Sequence, residues 1–131
     1  MRSKRKLTSL WIENEKVKII DQTKLPFKLS ILNLKNLSDY ILAIKEMKVR
    51  GAPLIGVTAA FGLAESIKKD PNDKNIEFSY KKLLETRPTA INLKWALDEV
   101  RIGVLKHNIK NRASIALKIA KKIRINDIEF C

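Results

Sequence analysis

Two short stretches carry most of the chemistry this sequence offers. The first is Val49-Arg50-Gly51-Ala52-Pro53-Leu54-Ile55-Gly56, where an Arg and a Gly stand directly before a segment that Pro53 can open as a helix. The first turn of a helix leaves N–H groups unpaired and carries the positive end of the helix dipole, so it attracts anions. Gly51 has no side chain to keep an anion from the backbone, and the Arg50 guanidinium is a fork suited to two phosphate oxygens. The second stretch is Thr86-Arg87-Pro88-Thr89-Ala90-Ile91-Asn92-Leu93-Lys94-Trp95-Ala96, again an Arg and a small polar residue at a helix start. Two such starts facing one pocket would bring two guanidiniums and two dipoles to one phosphate. Each stretch taken alone also reads as a plain helix corner with an exposed Arg. Asn92 and Trp95 are either pocket residues or a polar-face residue and a core aromatic.

Groups for proton transfer are missing from this pattern. His107 is the single histidine and Cys131, the last residue, the single cysteine, so no Ser/His/Asp or Cys/His set exists. Nothing has metal-ligand spacing, and no Gly-rich loop is followed by Lys and Ser/Thr. Glu85 near Arg87, and Asp98 and Glu99 on the helix after it, form no arrangement suited to acid/base catalysis. A phosphate grip without a proton-transfer group makes a binding surface rather than a complete active site. His107 reads as a helix-surface residue near a helix C-terminus, where a partial positive charge is favourable.

The composition bounds the alternatives. A chain of 131 residues, 45% hydrophobic, suits one domain with a real core, and 31% charged residues do not make it disordered. Basic residues outnumber acidic ones 27 to 14, a net charge of +13, which attracts phosphate metabolites, nucleic acid or acidic lipid. Most of the basic residues are Lys, and with abundant Ile and Asn that is also the signature of an A/T-rich coding bias. With 6% aromatic residues and no basic–aromatic alternation, nucleic acid is not the expected partner. One cysteine allows no intramolecular disulfide and points to a reducing compartment. No apolar segment follows Met1-Arg-Ser-Lys-Arg-Lys6, and the apolar run from Leu54 to Ala64 is far shorter than the roughly 20 residues of a membrane span. The expectation is a cytoplasmic protein with no membrane partner.

The elements that must position the two stretches follow from periodicity. Leu10-Trp11-Ile12 and Val17-Lys18-Ile19-Ile20, joined by a turn over 13–16, predict a hairpin, and Lys28-Leu29-Ser30-Ile31-Leu32 a third strand. From Leu37 the period becomes helical. Ser38 is the expected N-cap of a first helix that stops at Gly51, and Pro53 opens a second that runs to about Lys69. Gly56, Ala59, Ala60 and Ala64 give that second helix a small-residue face suited to close helix packing. A third helix spans about 76–85, a fourth follows a Thr89 cap, and a last one spans about 112–123. The fold class is α+β: a small N-terminal antiparallel β-sheet (9–33) followed by a bundle of about five helices (37–124). Residues 1–6 read as a flexible basic arm and 125–131 as a truncated linker.

In order and spacing, Asp21-Gln22-Thr23-Lys24-Leu25-Pro26, then the Arg50-Gly51-Ala52-Pro53 stretch through Ala64, then Thr86 to Leu97, resemble the methylthioribose-1-phosphate isomerases of methionine salvage. The resemblance spans about residues 8–126. The wider superfamily includes ribose-1,5-bisphosphate isomerase and the regulatory subunits of the translation-initiation exchange factor. The resemblance implies an aldose–ketose isomerisation of 5-methylthioribose-1-phosphate to 5-methylthioribulose-1-phosphate, with no metal and no organic cofactor. It implies that Arg50, Gly51, Ala52 and Arg87 bind substrate, chiefly its phosphate. The family's catalytic Cys and Asp belong to a Rossmann-like C-terminal domain, which is absent from these 131 residues, and neither motif is present; Cys131 lacks the context and is assigned no role. The reading is therefore a truncated N-terminal domain holding the substrate-phosphate half-site, inactive alone, with a sugar phosphate as ligand and a separately encoded C-terminal domain as a candidate partner. The alternative is a non-catalytic regulatory module like the exchange-factor subunits.

Overall fold

A computed structural model describes residues 10–24, 29–49 and 51–130, the last five as helix backbone only. Three strands, β1 (Leu10–Glu13), β2 (Lys16–Ile20) and β3 (Ile31–Leu34), form an antiparallel sheet in the order β1-β2-β3. Five helices follow among the described residues: α1 (Leu37–Lys45), α2 (Ala52–Lys69), α3 (Asp73–Leu84), α4 (Ile91–Leu105) and α5 (Ile109–Phe130). The architecture is the α+β arrangement anticipated from sequence.

The hairpin turns on Asn14 and Glu15, at φ 53° and 64°, the left-handed pair that matches the twist of the flanking strands. Leu10 pairs with Ile19 and Ile12 with Val17, which places Leu10, Val17 and Ile19 against the helices. The third strand lies three residues later than the sequence suggested, Lys28 itself falling outside the described residues. In the observed register Leu34 pairs with Val17 and Leu32 with Ile19, and it is Leu32 and Leu34 that turn inward, whereas Leu29 and Ile31 are exposed. An odd shift exchanges the two faces of a strand, so burying the more continuous Leu32–Leu34 side decides the register.

Helix α2 is the axis of the molecule. From Ile55 to Ala64 every residue is buried, because α1, α3, α4 and α5 all pack on it. A helix apolar on all sides needs such enclosure, and among the described residues no helix is long and apolar enough to cross a membrane. The return of α3 is fixed by a buried Ser66–Ser79 hydroxyl pair and by Asn75 on Ser66. Tyr80–Asp98 and Arg101–Glu77 contacts then hold α3 antiparallel to α4. Helices α2 and α4 therefore run the same way and begin at the same end of the bundle.

Their starts touch at Gly56. A Cβ on Gly56 would lie 2.9 Å from the carbonyl oxygen of Asn92 and 3.5 Å from the Ala96 Cβ. The small-residue face thus serves close helix packing, as expected for it.

Helix boundaries differ from the sequence reading at several points. The N-cap of α1 is Asn36, not Ser38; its side chain accepts the Asp39 N–H at 3.0 Å. The helix stops at Lys45, before Gly51, because Met47 takes φ 60° and the Met47 and Lys48 N–H groups bond back to Ile44 and Ala43, a closure in which the terminal carbonyls find donors. The N-cap of α4 is Ala90 rather than Thr89, with no side-chain cap. The last helix begins at Ile109 and continues through 125–130, where a linker was expected. Its start is anchored by a buried Arg112 that donates to the carbonyls of His107 and Pro71 and to Asp73. Residues 1–6, read as a basic arm, lie outside the described residues.

Gly56→Ala tests the closest of these contacts. The added methyl meets backbone rather than a movable side chain, so the variant should lose about 1–3 kcal/mol of stability. A urea titration showing a lowered midpoint with unchanged slope is the expected outcome; an unchanged midpoint would mean that the starts of α2 and α4 are not in contact.

Candidate functional site

The segment that leads into α2 is held from two sides. The α1 closure ends on Lys48, whose carbonyl accepts the Gln22 N–H at 2.9 Å and whose Nζ lies 3.5 Å from the buried Asp21 carboxylate. Asp21 in turn accepts the Thr23 backbone N–H at 2.9 Å and the Thr23 hydroxyl, and its own N–H donates to Ser30. The Asp21-Gln22-Thr23-Lys24 run is thereby a clamp on the chain immediately before Arg50. Val49 beside it is fully buried.

Gly51 is the N-cap of α2 at φ 90° and ψ 132°, and is exposed. A positive φ of this kind is open to Gly and strained for other residues. Its carbonyl accepts the Ile55 N–H, while no side chain caps the helix start. Ala52 is exposed as the first helical residue, and Pro53 occupies the second position. Among the described residues no side chain bonds the first-turn N–H groups, and Gly51 and Ala52 lie on an accessible surface. Arg50 lies outside the described residues.

Arg87 sits in the turn that precedes α4, its carbonyl accepting the Ala90 N–H at 3.0 Å. The side chain is half-buried. Its Nε is sealed from solvent, and among the described residues it is the buried side-chain nitrogen or oxygen without a hydrogen-bond partner. A buried unpaired donor is costly, of the order of 1–3 kcal/mol, and calls for an acceptor. Gly51 and Arg87 thus stand at the same end of the bundle, beside two helix starts that touch one turn further in at Gly56 and Asn92.

A groove of about 290 Å³ opens at the start of α4, lined among others by Pro88, Thr89, Ile91, Lys94, Trp95 and Asp98. Trp95 is half-exposed on this wall, not a core aromatic; the exposed Asn92 contributes its carbonyl to the Gly56 contact instead. Asp98, set aside above as an acid/base group, ties the wall together. It accepts from the Tyr80 hydroxyl at 2.5 Å and from Lys94 Nζ at 2.8 Å, while Arg101 lies over the Tyr80 ring. Burial pushes the Asp98 carboxyl up, but the hydrogen bonds from Lys94 and Tyr80 outweigh it and the group titrates below its usual value. Lys94 is raised, chiefly by its bond to Asp98, and Tyr80 is raised by burial and by Asp98. The trio is therefore carboxylate, ammonium and neutral phenol at neutral pH, which suits fixed positioning and not proton transfer. The signal was the Lys94–Asp98 spacing of four on one helix; Tyr80 comes from another helix and no local pattern connects it.

His107 is exposed just past the end of α4, and Cys131 lies outside the described residues. No cluster of three or more His, Cys, Asp or Glu able to hold a metal ion occurs among the described residues.

The described residues thus form an α+β domain in which two parallel helices start side by side, each without a side-chain cap. The family follows from comparison. The family model for the Initiation factor 2 subunit family matches residues 48–128, and the chain belongs to that family. It is 45% identical over 124 residues to the methylthioribose-1-phosphate isomerase of Rhizobium meliloti (strain 1021), a match covering 93% of this chain and 34% of that protein. It is 44% identical over 126 residues to the enzyme of the same name from Escherichia coli O45:K1, covering 94% and 34%. The chain thus spans about a third of the length of these curated relatives. Among solved structures it resembles translation initiation factor eIF-2B, subunit delta, from A. fulgidus (TM-score 0.81, 32% identity, 94% of this chain and 38% of that one). It also resembles 5-methylthioribose 1-phosphate isomerase from Pyrococcus horikoshii OT3 (TM-score 0.80, 32% identity, 88% and 35%).

The Asp21 clamp generates a pH prediction. Burial raises the Asp21 carboxyl, and the Thr23 hydrogen bonds with the Lys48 charge more than offset this, so it titrates below its usual 3.8. A carboxyl depressed on folding adds stability above its unfolded value and loses it as pH falls through the folded value. Asp21→Asn should cost about 1–3 kcal/mol at neutral pH and flatten the decline of stability below about pH 4. Denaturation curves with the same acid decline as the parent would remove Asp21 from the clamp.

Proposed function

We propose that residues 1–131 form the phosphate-holding part of a methylthioribose-1-phosphate isomerase, with Arg50, Gly51, Ala52 and Arg87 on the substrate's phosphate. The observation that carries this reading is the buried, unpartnered Arg87 Nε at the end of the bundle where α2 and α4 both begin. A phosphate oxygen is the acceptor that this nitrogen lacks, and the backbone N–H groups at Gly51 and Ala52 with the two helix dipoles suit the same dianion. Arg50 supplies the second guanidinium. Asp21 and Gln22 hold the chain at Lys48, so the approach to α2 is fixed up to that point before a ligand arrives.

These residues bind and orient; they do not shuttle protons. Among the described residues the groove's carboxylate is locked as an anion between Lys94 and Tyr80. The proposal therefore assigns the acid/base step of the aldose–ketose conversion to groups beyond this set, and residues 1–131 alone bind sugar phosphate without turning it over. No metal or organic cofactor is assigned to them, and a partner carrying the remaining groups, such as a separately encoded C-terminal domain, completes the reaction.

Substrate class rests on identity. The curated relatives at 44–45% identity carry the isomerase name, while the two solved structures, one an isomerase and one the eIF-2B delta subunit, are each 32% identical. The second reading, a regulatory module that senses a sugar phosphate or nucleotide through this same pocket, draws on the equal structural likeness to that subunit. Saturable binding of a nucleotide in preference to the sugar phosphate would favour it.

The test is titration calorimetry with methylthioribose-1-phosphate beside an assay for the ketose. The expected result is binding without turnover, weakened about 10- to 100-fold in Arg87→Ala and in Arg50→Ala, the scale of a lost charged hydrogen bond. Unchanged affinity in both variants would remove the two Arg residues from the site. Turnover by the unaided chain would place the chemistry within it and overturn the assignment of proton transfer elsewhere.

A further inference from the structure

A second cavity lies toward the other end of α2, between the β1–β2 hairpin, α1, α2 and α5, with a volume of about 350 Å³. That is within the range of small-molecule sites. It lies about 18 Å along α2 from Ala52, since Ala64 on its wall is twelve residues further at 1.5 Å each. Its inner wall is apolar: Ile12, Val17, Phe61, Ala64 and Leu117. Its mouth is not. Glu15 and Glu65 bring two carboxylates and Lys68 and Lys121 two ammonium groups, and none of the four has an ion-pair partner among the described residues.

Tyr40 adds a second, independent observation. It lines the cavity and is 1% exposed, yet its hydroxyl makes no hydrogen bond among the described residues. Unlike the Arg87 Nε, this hydroxyl is not sealed from solvent: it belongs to the cavity wall, where it is open to a ligand. Burial first, then the carboxylates of Glu65 and Asp39, raise its pKa far above the usual tyrosine value, so it stays a neutral donor.

An apolar chamber with unpaired charges of both signs at its mouth and an idle donor in its wall fits one chemical class. We propose that this cavity binds a free α-amino acid with an apolar side chain, its ammonium toward Glu15 and Glu65 and its carboxylate toward Lys68, Lys121 and the Tyr40 hydroxyl. A plain hydrocarbon would meet the apolar wall but make no use of the charges at the mouth or of the hydroxyl. An amine alone or an acid alone would satisfy only one pair. The site is separate from the phosphate grip and does not depend on that reading.

The test is calorimetric titration of the full 131-residue chain with L-leucine and L-phenylalanine, beside 4-methylpentanoate and 3-methylbutylamine, the deaminated and decarboxylated counterparts of leucine. Saturable binding of an amino acid, at least about tenfold tighter than either counterpart, is expected. Glu65→Gln and Lys121→Gln, both at the cavity mouth, should each weaken it about tenfold, and so should Tyr40→Phe, which removes a hydroxyl without a partner. Leu117→Trp, filling the chamber from its exposed edge, should abolish it, while Arg87→Ala should leave it unchanged. Thermal melts of each variant separate lost binding from lost fold. No saturable binding of either amino acid, equal affinity for the counterparts, or affinity indifferent to the charge variants would each overturn the proposal.

Discussion

The contact on which the site depends is the approach of α4 to α2 at Gly56. Only a residue without a side chain lets the Asn92 carbonyl come as near as it does, and the contact falls within the first turns of both helices. Because α3 runs antiparallel to each, the chain has no choice about the direction of α4 once α3 has packed. Two dipoles then point from the same end of the bundle, and the turn that carries Arg87 is delivered beside them. In the bundle, Gly56 sets the spacing and α3 the direction.

The irregular turns are not loose. The chain before α2 is bound at Lys48 by the helix closure on one side and by Asp21 and Gln22 on the other. The chain before α4 is held by Thr86, whose N–H and hydroxyl both donate to the Leu83 carbonyl, and by the Arg87–Ala90 turn. Both sites of polar order sit on the flanks of the helix starts and leave the N–H groups themselves uncapped. Positioning residues are thus separated from the groups they position, an arrangement that keeps donors in place before a ligand arrives.

Much of this was legible in the sequence, and the exceptions have physical reasons. Helix α2 was legible because Pro53, Gly51 and an unbroken apolar run agree, and its end at Lys69 was set by Asp70-Pro71. Both Arg-bearing stretches were visible as helix starts. The third strand was misplaced because Leu29 and Ile31 alternate as well as Leu32 and Leu34 do, and only burial in the core chooses between the two faces. The cap at Asn36 was missed since Ser38 is an equally good cap by type, and the chain entering from β3 decides which is used. The end of α5 was unreadable because nothing after Ile123 signals a stop. The buried Arg112, the Tyr80–Asp98 bond and the Tyr40 cavity join residues 18 to 77 or more positions apart, where no local spacing rule applies.

The proposed site requires the starts of α2 and α4 to form one anion site and not two separate corners. Two-dimensional NMR of ¹⁵N-labelled chain titrated with inorganic phosphate tests this most directly, following the Gly51 and Ala52 amides together with the Arg87 Nε–H. All three signals are expected to move along a single saturation curve, and chloride at the same ionic strength to leave them in place. Signals that follow different curves, or an Arg87 Nε–H that stays fixed while the amides move, would contradict a shared site.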